Sequence, residues 1–194
     1  MDRALFIAAG GMAAQQQNID TIAEDLANAD VAGFKGSARR FAELAAPGGA
    51  PEGTASIGTR VLLTQGKLEK SNGPFDIAIE GPGFFTIVGE HGQAQYTRDG
   101  AFERGADGSL RDVRGWRLKG VTVPPGALSL SVAEDGRVTA TFASGKRVVG
   151  RIRIAEFAAP DRLRGTGGTA FEATAASGPP REISPGTLDG PKLR

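Results

Sequence analysis

Residues 5–35 read LFIAAGGMAAQQQNIDTIAEDLANADVAGFK. With Leu5 as position a of a heptad, the a positions are Leu5, Met12, Ile19 and Leu26, and the d positions are Ala8, Gln15, Ile22 and Ala29. Seven of these eight are apolar, and a spacing of three then four is that of a helical seam. The spacing predicts a helix over 3–28, about 39 Å long at 1.5 Å per residue. Asn18, Asp20, Glu24 and Asp25 fall off the seam and read as a solvated face. Asn28 and Asp30 interrupt the pattern, Gly33 offers a residue able to take positive φ, and Phe34 is a candidate anchor for the exit turn. The Gly10-Gly11 pair weakens a helix by roughly 1 kcal/mol per residue. It fits a place where another backbone comes close or where the helix bends. One reading lays this helix on its own sheet. A globular helix, however, usually carries a wider apolar stripe, and this narrow, Ala-rich seam suits another helix from outside the chain.

The remainder reads as β-structure. FDIAI places Phe75, Ile77 and Ile79 on one face, and FFTIV follows at 84–88. LSLSV at 128–132, RVTATF at 137–142 and RIRIAEF at 151–157 continue the alternation. Asn72-Gly73, Asp99-Gly100, Asp107-Gly108 and Asp135-Gly136 suit tight hairpins. The expected fold is mainly β with a long N-terminal α-helix, an antiparallel β-domain plus a coiled-coil-type helix (α+β). The expected divisions are a helix and exit turn at 1–35, a flexible Ala/Gly/Pro-rich connector at 36–56, the antiparallel β-domain at 57–176, and an extended Pro/Gly-rich tail at 177–194.

Composition narrows the function. The 194 residues carry 23 Lys+Arg against 22 Asp+Glu, so no net field draws the chain to nucleic acid or an anionic membrane. There is no cysteine, which removes disulfides and thiolate chemistry, and no apolar run approaches the length of a membrane span. ALFIAAGGMAA resembles the apolar part of a secretory leader, but the periodicity runs through the supposed cleavage site to Leu26. The single histidine, His91, lies in GEHGQ and reads as a hairpin tip. No serine motif surrounds it to support a triad, and a two-histidine metal site is impossible. RDGAFERGADGSLRD lacks calcium-loop spacing, so its aspartates read as turn residues. Arg98, Arg104, Arg111, Arg114, Arg117 and Lys119 alternate with Glu103, Asp107 and Asp112, as on a solvated sheet face with cross-strand ion pairs. No catalytic, cofactor or metal constellation emerges. The residues point to an assembly or binding protein and not to an enzyme. A binding module gripping glycan or a ring protein would need Trp116 and Tyr96 exposed together.

AAGGMAAQQQNIDTIAEDLANADVAGFK resembles the N-terminal signature of the flagellar rod and hook family of axial proteins. TQGKLEKSNGPFDIAIEGPGFFTI and YTRDGAFERGADGSL extend the resemblance, and VPPGALSLSVAEDGRV with ASGPPREISPGTLDG is most similar to the distal-rod branch. The resemblance implies a non-enzymatic structural subunit of the basal-body rod, self-assembling into a helical filament that transmits torque. It implies Leu5, Ala8, Met12, Ile19, Ile22 and Leu26 as subunit-assembly residues. Ala27, Asn28, Gly33, Phe34 and Lys35 follow as the signature that fixes the helix exit. Implied partners are copies of the chain, other axial proteins of rod and hook, and periplasmic and outer-membrane ring proteins, with no nucleic acid, small-molecule substrate or cofactor. The implied place is the periplasmic rod, reached through the flagellar type III apparatus without a cleaved signal peptide. Asp25 departs from the family's usual Asn and Val31 from its usual Thr. The family also continues past the PGTL-like segment into a long C-terminal helix, which this sequence, ending at Arg194, lacks. A homologue of that kind acting as a cap, regulator or periplasmic binding module is the alternative reading.

Overall fold

The computed structural model describes residues 2–45, 51–71, 73–185 and 192–193, with the side chains of Asp2, Arg3, Ala45, Pro51, Glu52 and Lys192 left aside. The chain forms two units, one of residues 1–31 and 35–63, the other of residues 32–34 and 64–194.

In the first unit, helix α1 runs Asp2–Ala27, close to the bounds its periodicity predicts. Strands β1 (Ser37–Ala45) and β2 (Pro51–Val61) follow as an antiparallel pair from Ser37↔Val61 to Ala45↔Pro51. This corrects the flexible connector expected at 36–56. Ala and Gly carry little strand preference, so composition alone argues for a loop. The backbone nevertheless closes a ladder with two register shifts, at Arg40/Phe41 and at Leu44/Ala45. Residues 46–50 of that expected connector lie outside the described residues.

The second unit carries β3 (Ile79–Glu80), β4 (Phe84–Val88), β5 (Ala94–Thr97), β6 (Glu103–Arg104), β7 (Ser109–Arg111), β8 (Arg117–Thr122) and β9 (Ser129–Val132). It continues with β10 (Arg137–Phe142), β11 (Gly145–Arg151), β12 (Ile154–Glu156), β13 (Arg164–Gly167), β14 (Ala170–Glu172), β15 (Arg181–Ile183) and β16 (Lys192–Leu193). All their described pairings are antiparallel, and the main path runs β13-β14-β5-β4-β8-β11-β10-β9. β4 has β5 along one side, while β8 takes Ile87 and Val88 and β12 takes Phe84 and Phe85 on the other.

β4 is where alternation breaks down: Phe84, Phe85, Thr86 and Ile87 are all buried. Both faces are covered. Phe85 and Ile87 enter a core with Phe102, Leu110, Leu118, Val121, Val123, Val138, Ile152 and Ile154. On the opposite face Phe84 meets Phe157 and Phe171 edge-on at 6.0 and 5.8 Å. A strand buried on both sides reads as a continuous apolar run, as FFTIV does.

Three further expectations are corrected. FDIAI is not a five-residue strand, since only Ile79 is in β3. Its inward face is nonetheless the expected one, with Ile77 and Ile79 buried and Phe75 packed on the core. RIRIAEF is divided: β11 ends at Arg151 and β12 begins at Ile154, with Ile152 and Ile154 both buried. The segment 145–151 is itself a strand that its mixed composition did not announce. Asp99-Gly100 is not a hairpin turn either. Gly100 accepts the Ile77 N–H at 3.0 Å, and a Cβ there would collide with the Ile77 carbonyl. The pair marks a close crossing of two segments. Asp107-Gly108 and Asp135-Gly136 do form turns, with φ of 80° and 82° at the glycines. Asn72 lies outside the described residues.

The expected tail from 177 onward contributes two strands. β15 pairs with β12, β16 pairs with β3, and Leu193 is buried in the core. Residues 186–191 and 194 of it are outside the described residues.

Candidate functional site

Within the first unit, α1 turns its small and polar side to the β1–β2 hairpin. Thr21 is 5% exposed, and Ile7, Gly10, Gly11, Ala14, Asn18, Asp25 and Asn28 are half-buried. These positions repeat at helical spacing and define one stripe. Two polar contacts fix it. The Arg39 Nε–H donates to Thr21 Oγ1 at 2.8 Å, and the Thr21 hydroxyl donates to the Gln17 carbonyl at 2.9 Å. The Ser37 N–H donates to both carboxylate oxygens of Asp25 at 3.2 Å. Gly36 lies so close that a Cβ there would come within 2.8 Å of Asp25 Oδ2. Asn18 and Asp25 therefore do not belong to a solvated face, as the heptad alone suggests, whereas Asp20 and Glu24 are exposed. At Gly10 a Cβ would sit 3.7 Å from the Thr54 carbonyl, and at Gly11 it would meet nothing within 4 Å. The hairpin backbone does approach the helix at Gly10, at ordinary contact distance.

The predicted seam faces the other way. Leu5, Met12, Ile19, Ile22 and Leu26 are 57–75% exposed, Phe6 is 78% exposed, and Ala8 is exposed. The helix thus leaves a row of large apolar side chains open along one side, interrupted by Gln15. Phe6 was not among the seam positions. It lies beside Leu5 and would have been found by asking which large apolar residues the covered stripe leaves out.

At the helix end the Asn28 N–H and side-chain amide both donate to the Glu24 carbonyl, at 3.1 and 2.8 Å, while Ala27 is exposed. The Asn28 side chain thus adds a second hydrogen bond to a last-turn carbonyl that the helix backbone already engages. Gly33 is not the cap. It lies beyond the terminus at φ 72°, and residues 32–34 belong to the second unit. A Cβ on Gly33 would press on the Asp99 backbone and come within 2.6 Å of the Arg98 carbonyl carbon. Phe34 and Lys35 are half-buried on either side of the division between the units.

The seat under Gly33 is well tied. Arg98 donates to the Gly81 carbonyl at 2.6 Å and to Gln65 Oε1 at 3.2 Å, and its guanidinium lies 5.7 Å from the Phe84 ring centre. The Thr97 hydroxyl accepts the Asp99 N–H at 3.0 Å and donates to the Thr169 carbonyl at 2.9 Å. Asp99 Oδ1 accepts the Ala101 N–H at 3.0 Å. Burial pushes the Asp99 carboxyl above its ordinary value, and that hydrogen bond only partly offsets it.

The other polar residues serve turns. Asp107 accepts the Ser109 hydroxyl at 2.7 Å and pairs with Arg111 at 2.9 Å, which holds its carboxyl well below the ordinary range. Asp112 accepts the N–H groups of Arg114 and Trp116 at 2.9 and 2.8 Å and pairs with the Arg114 guanidinium. Arg104 donates to the Val123 carbonyl at 3.0 Å. Lys119–Glu182 is an ion pair between β8 and β15, at 2.6 Å. Within the basic stripe Arg111 and Arg114 thus lock local turns, while Arg98, Arg104 and Lys119 reach distant segments, Lys119 by an ion pair between strands. Among the described residues no three acidic or histidine side chains gather to hold a metal ion. His91 is exposed in the turn between β4 and β5. Tyr96 is buried edge-on to Phe157 at 4.8 Å, and Trp116 is half-buried with Arg114 at 5.4 Å, so the two are not exposed together.

Comparison with known proteins meets this geometry at both units. Residues 5–35 match the family described as "Flagella basal body rod protein", and residues 78–140 match "Flagellar hook protein FlgE/F/G D1 domain". The chain is 36% identical to the flagellar basal-body rod protein FlgG of Agrobacterium fabrum, over 92% of this chain and 76% of that protein. It is 33% identical to FlgG of Borreliella burgdorferi, over 100% of this chain and 82% of that one. It is also 30% identical to the flagellar hook protein FlgE of Rhizobium meliloti, over 70% of this chain and 37% of that protein. With the helix signature and the β-unit both matched, and in the same order, the chain belongs to the FlgG family of flagellar basal-body rod proteins.

Proposed function

We propose that this chain is a structural subunit of the bacterial flagellar basal-body rod, assembling with copies of itself and with other axial proteins of rod and hook. The observation that carries the reading is the orientation of α1: its polar stripe is taken by its own hairpin, and its apolar seam is left open. Leu5, Ala8, Met12, Ile19, Ile22 and Leu26 pack against helices of neighbouring subunits. Repetition of such a heterologous contact gives a helical filament instead of a closed ring. Ala27, Asn28, Gly33, Phe34 and Lys35 fix the turn by which the chain leaves the axial helix. Periplasmic and outer-membrane ring proteins surround this rod. Export through the flagellar type III apparatus is part of the same proposal, supported by the leader-like run lying inside α1.

The test is a double substitution, Ile19→Asp with Ile22→Asp, read by sedimentation velocity and by rescue of motility in a strain lacking the rod subunit. The expected result is an intact β-unit by near-UV circular dichroism, with self-association and motility both lost. Native association and motility in the variant would overturn the reading.

A further inference from the structure

Charge is segregated along this chain although its total is nearly balanced. Residues 4–34 carry four carboxylates and no Lys or Arg. Residues 136–155 carry five basic residues and no Asp or Glu. The fold concentrates the second set. Ile152 and Ile154 point into the core, so Arg151 and Arg153 point outward, and Val149 packs on the core while Val148 is 56% exposed. Lys146 pairs in register with Thr141, and Arg151 with Arg137. Lys146, Val148, Arg151 and Arg153 therefore form an outward row with Arg137 across from it. Like charges directly opposite repel. Asp135 relieves one such pair, at 3.0 Å from Arg137 and 3.6 Å from Arg151. Lys146 and Arg153 are exposed and have no ionic partner among the described residues. On the helix, Asp20 and Glu24 are exposed one turn apart, and no basic residue stands in its last turn.

We propose that the basic row formed by β11 and by Arg153 just beyond its end is a docking surface for the acidic side of α1 of a second copy of this chain. The inference rests on the rod-subunit reading and names a polar contact that accompanies the apolar seam. Two complementary surfaces on one chain, one predominantly basic around the single carboxylate of Asp135 and one acidic, make a heterologous contact that orients the incoming copy and rejects the reversed arrangement. Asp20, whose carboxylate accepts the exposed Gln16 side-chain amide at 2.9 Å, and Glu24 stay exposed because the hairpin holds the helix through Thr21 and Asp25 instead.

The experiment uses the full chain and measures self-association by sedimentation velocity at about 0.02 M and about 0.5 M salt, concentrations on either side of physiological screening. Lys146→Glu with Arg153→Glu is expected to weaken low-salt association by about tenfold, as is Asp20→Lys with Glu24→Lys. An equimolar mixture of the two variants is expected to recover association, since each supplies the surface the other lacks. Unchanged low-salt association in either variant, or no recovery on mixing, overturns the docking. If Ile19→Asp with Ile22→Asp abolishes association while salt and both reversals do nothing, the rod reading stands and the docking fails. If the reversals act while the seam variant associates normally, the docking stands and the seam reading fails. Poly-glutamate is titrated in parallel. Loss of its binding in Lys146→Glu with Arg153→Glu, without loss of self-association, assigns the row to a foreign acidic partner and overturns the proposal.

Discussion

Gly33 lies with its backbone against that of Asp99, so that a single added carbon would overlap the Asp99 amide. A positive φ of 72° and this crowding act together. Either alone selects glycine; the two together leave no other residue room.

Gly33→Ala is accordingly expected to destabilise the second unit by about 1–3 kcal/mol. Urea unfolding followed by near-UV circular dichroism checks this. Loss of motility is expected to exceed what the lost stability alone predicts, because the substitution displaces the exit turn from its seat. A variant as stable and motile as the parent would remove Gly33 from the exit joint.

Thr21→Val keeps the shape of the side chain and deletes the oxygen that accepts the Arg39 Nε–H. It is expected to cost the helix–hairpin contact about 1–2 kcal/mol, since a charged donor is left half-buried without its acceptor. Amide exchange of residues in β1 and α1 should rise together, with β4 unaffected. Asp25→Asn retains an acceptor for the Ser37 N–H and should change exchange far less than Asp25→Ala.

Phe85 is fully buried and meets Phe102 edge-on at 5.6 Å, at the centre of the core. Phe85→Ala is expected to lower unfolding free energy by about 3–5 kcal/mol. A thermal melt showing a smaller shift than that of the exposed control Val113→Ala would contradict the placement of β4 between two covered faces.

Asp99 sets the sign of one pH effect. Burial raises its carboxyl above 3.8 in the folded state, so the folded protein holds that proton more tightly than the unfolded chain. This group's contribution therefore improves as pH falls through the raised folded value, and becomes level below the unfolded value. Asp99→Asn keeps the oxygen that accepts the Ala101 N–H and removes the half-buried charge. It should be more stable than the parent at pH 7, with the advantage shrinking as pH falls toward 3.8. Denaturant midpoints at pH 7, 5 and 3 check both the sign and the trend; a constant difference contradicts it.

The polar stripe of α1 shows where local sequence stops informing. Heptad spacing places Leu5, Met12, Ile19, Ile22 and Leu26 on one side because a helix brings residues three and four apart together. Nothing in that spacing says whether the opposite side meets solvent. Its partners come from Ser37 and Arg39, 12 and 18 residues away, in a segment whose Ala and Gly content argues against a strand. Likewise the positive φ of Gly33 is legible as a glycine near a helix end, but its seat on Asp99 requires two distant segments to cross.

The order of bases and acids, the apolar seam and the turns at Asp107-Gly108 and Asp135-Gly136 follow from the sequence alone. They depend on neighbours within a few residues, where helix and strand periods fix the geometry. FFTIV, by contrast, reads in the sequence as an alternating strand, and only its distant neighbours bury both its faces. The tertiary structure decided which face of α1 is covered, that residues 37–45 and 51–61 pair as strands, and that Leu193 is buried in the core. Those outcomes turn on hydrogen-bond partners and packing surfaces far apart in the chain, and only folding brings them within reach.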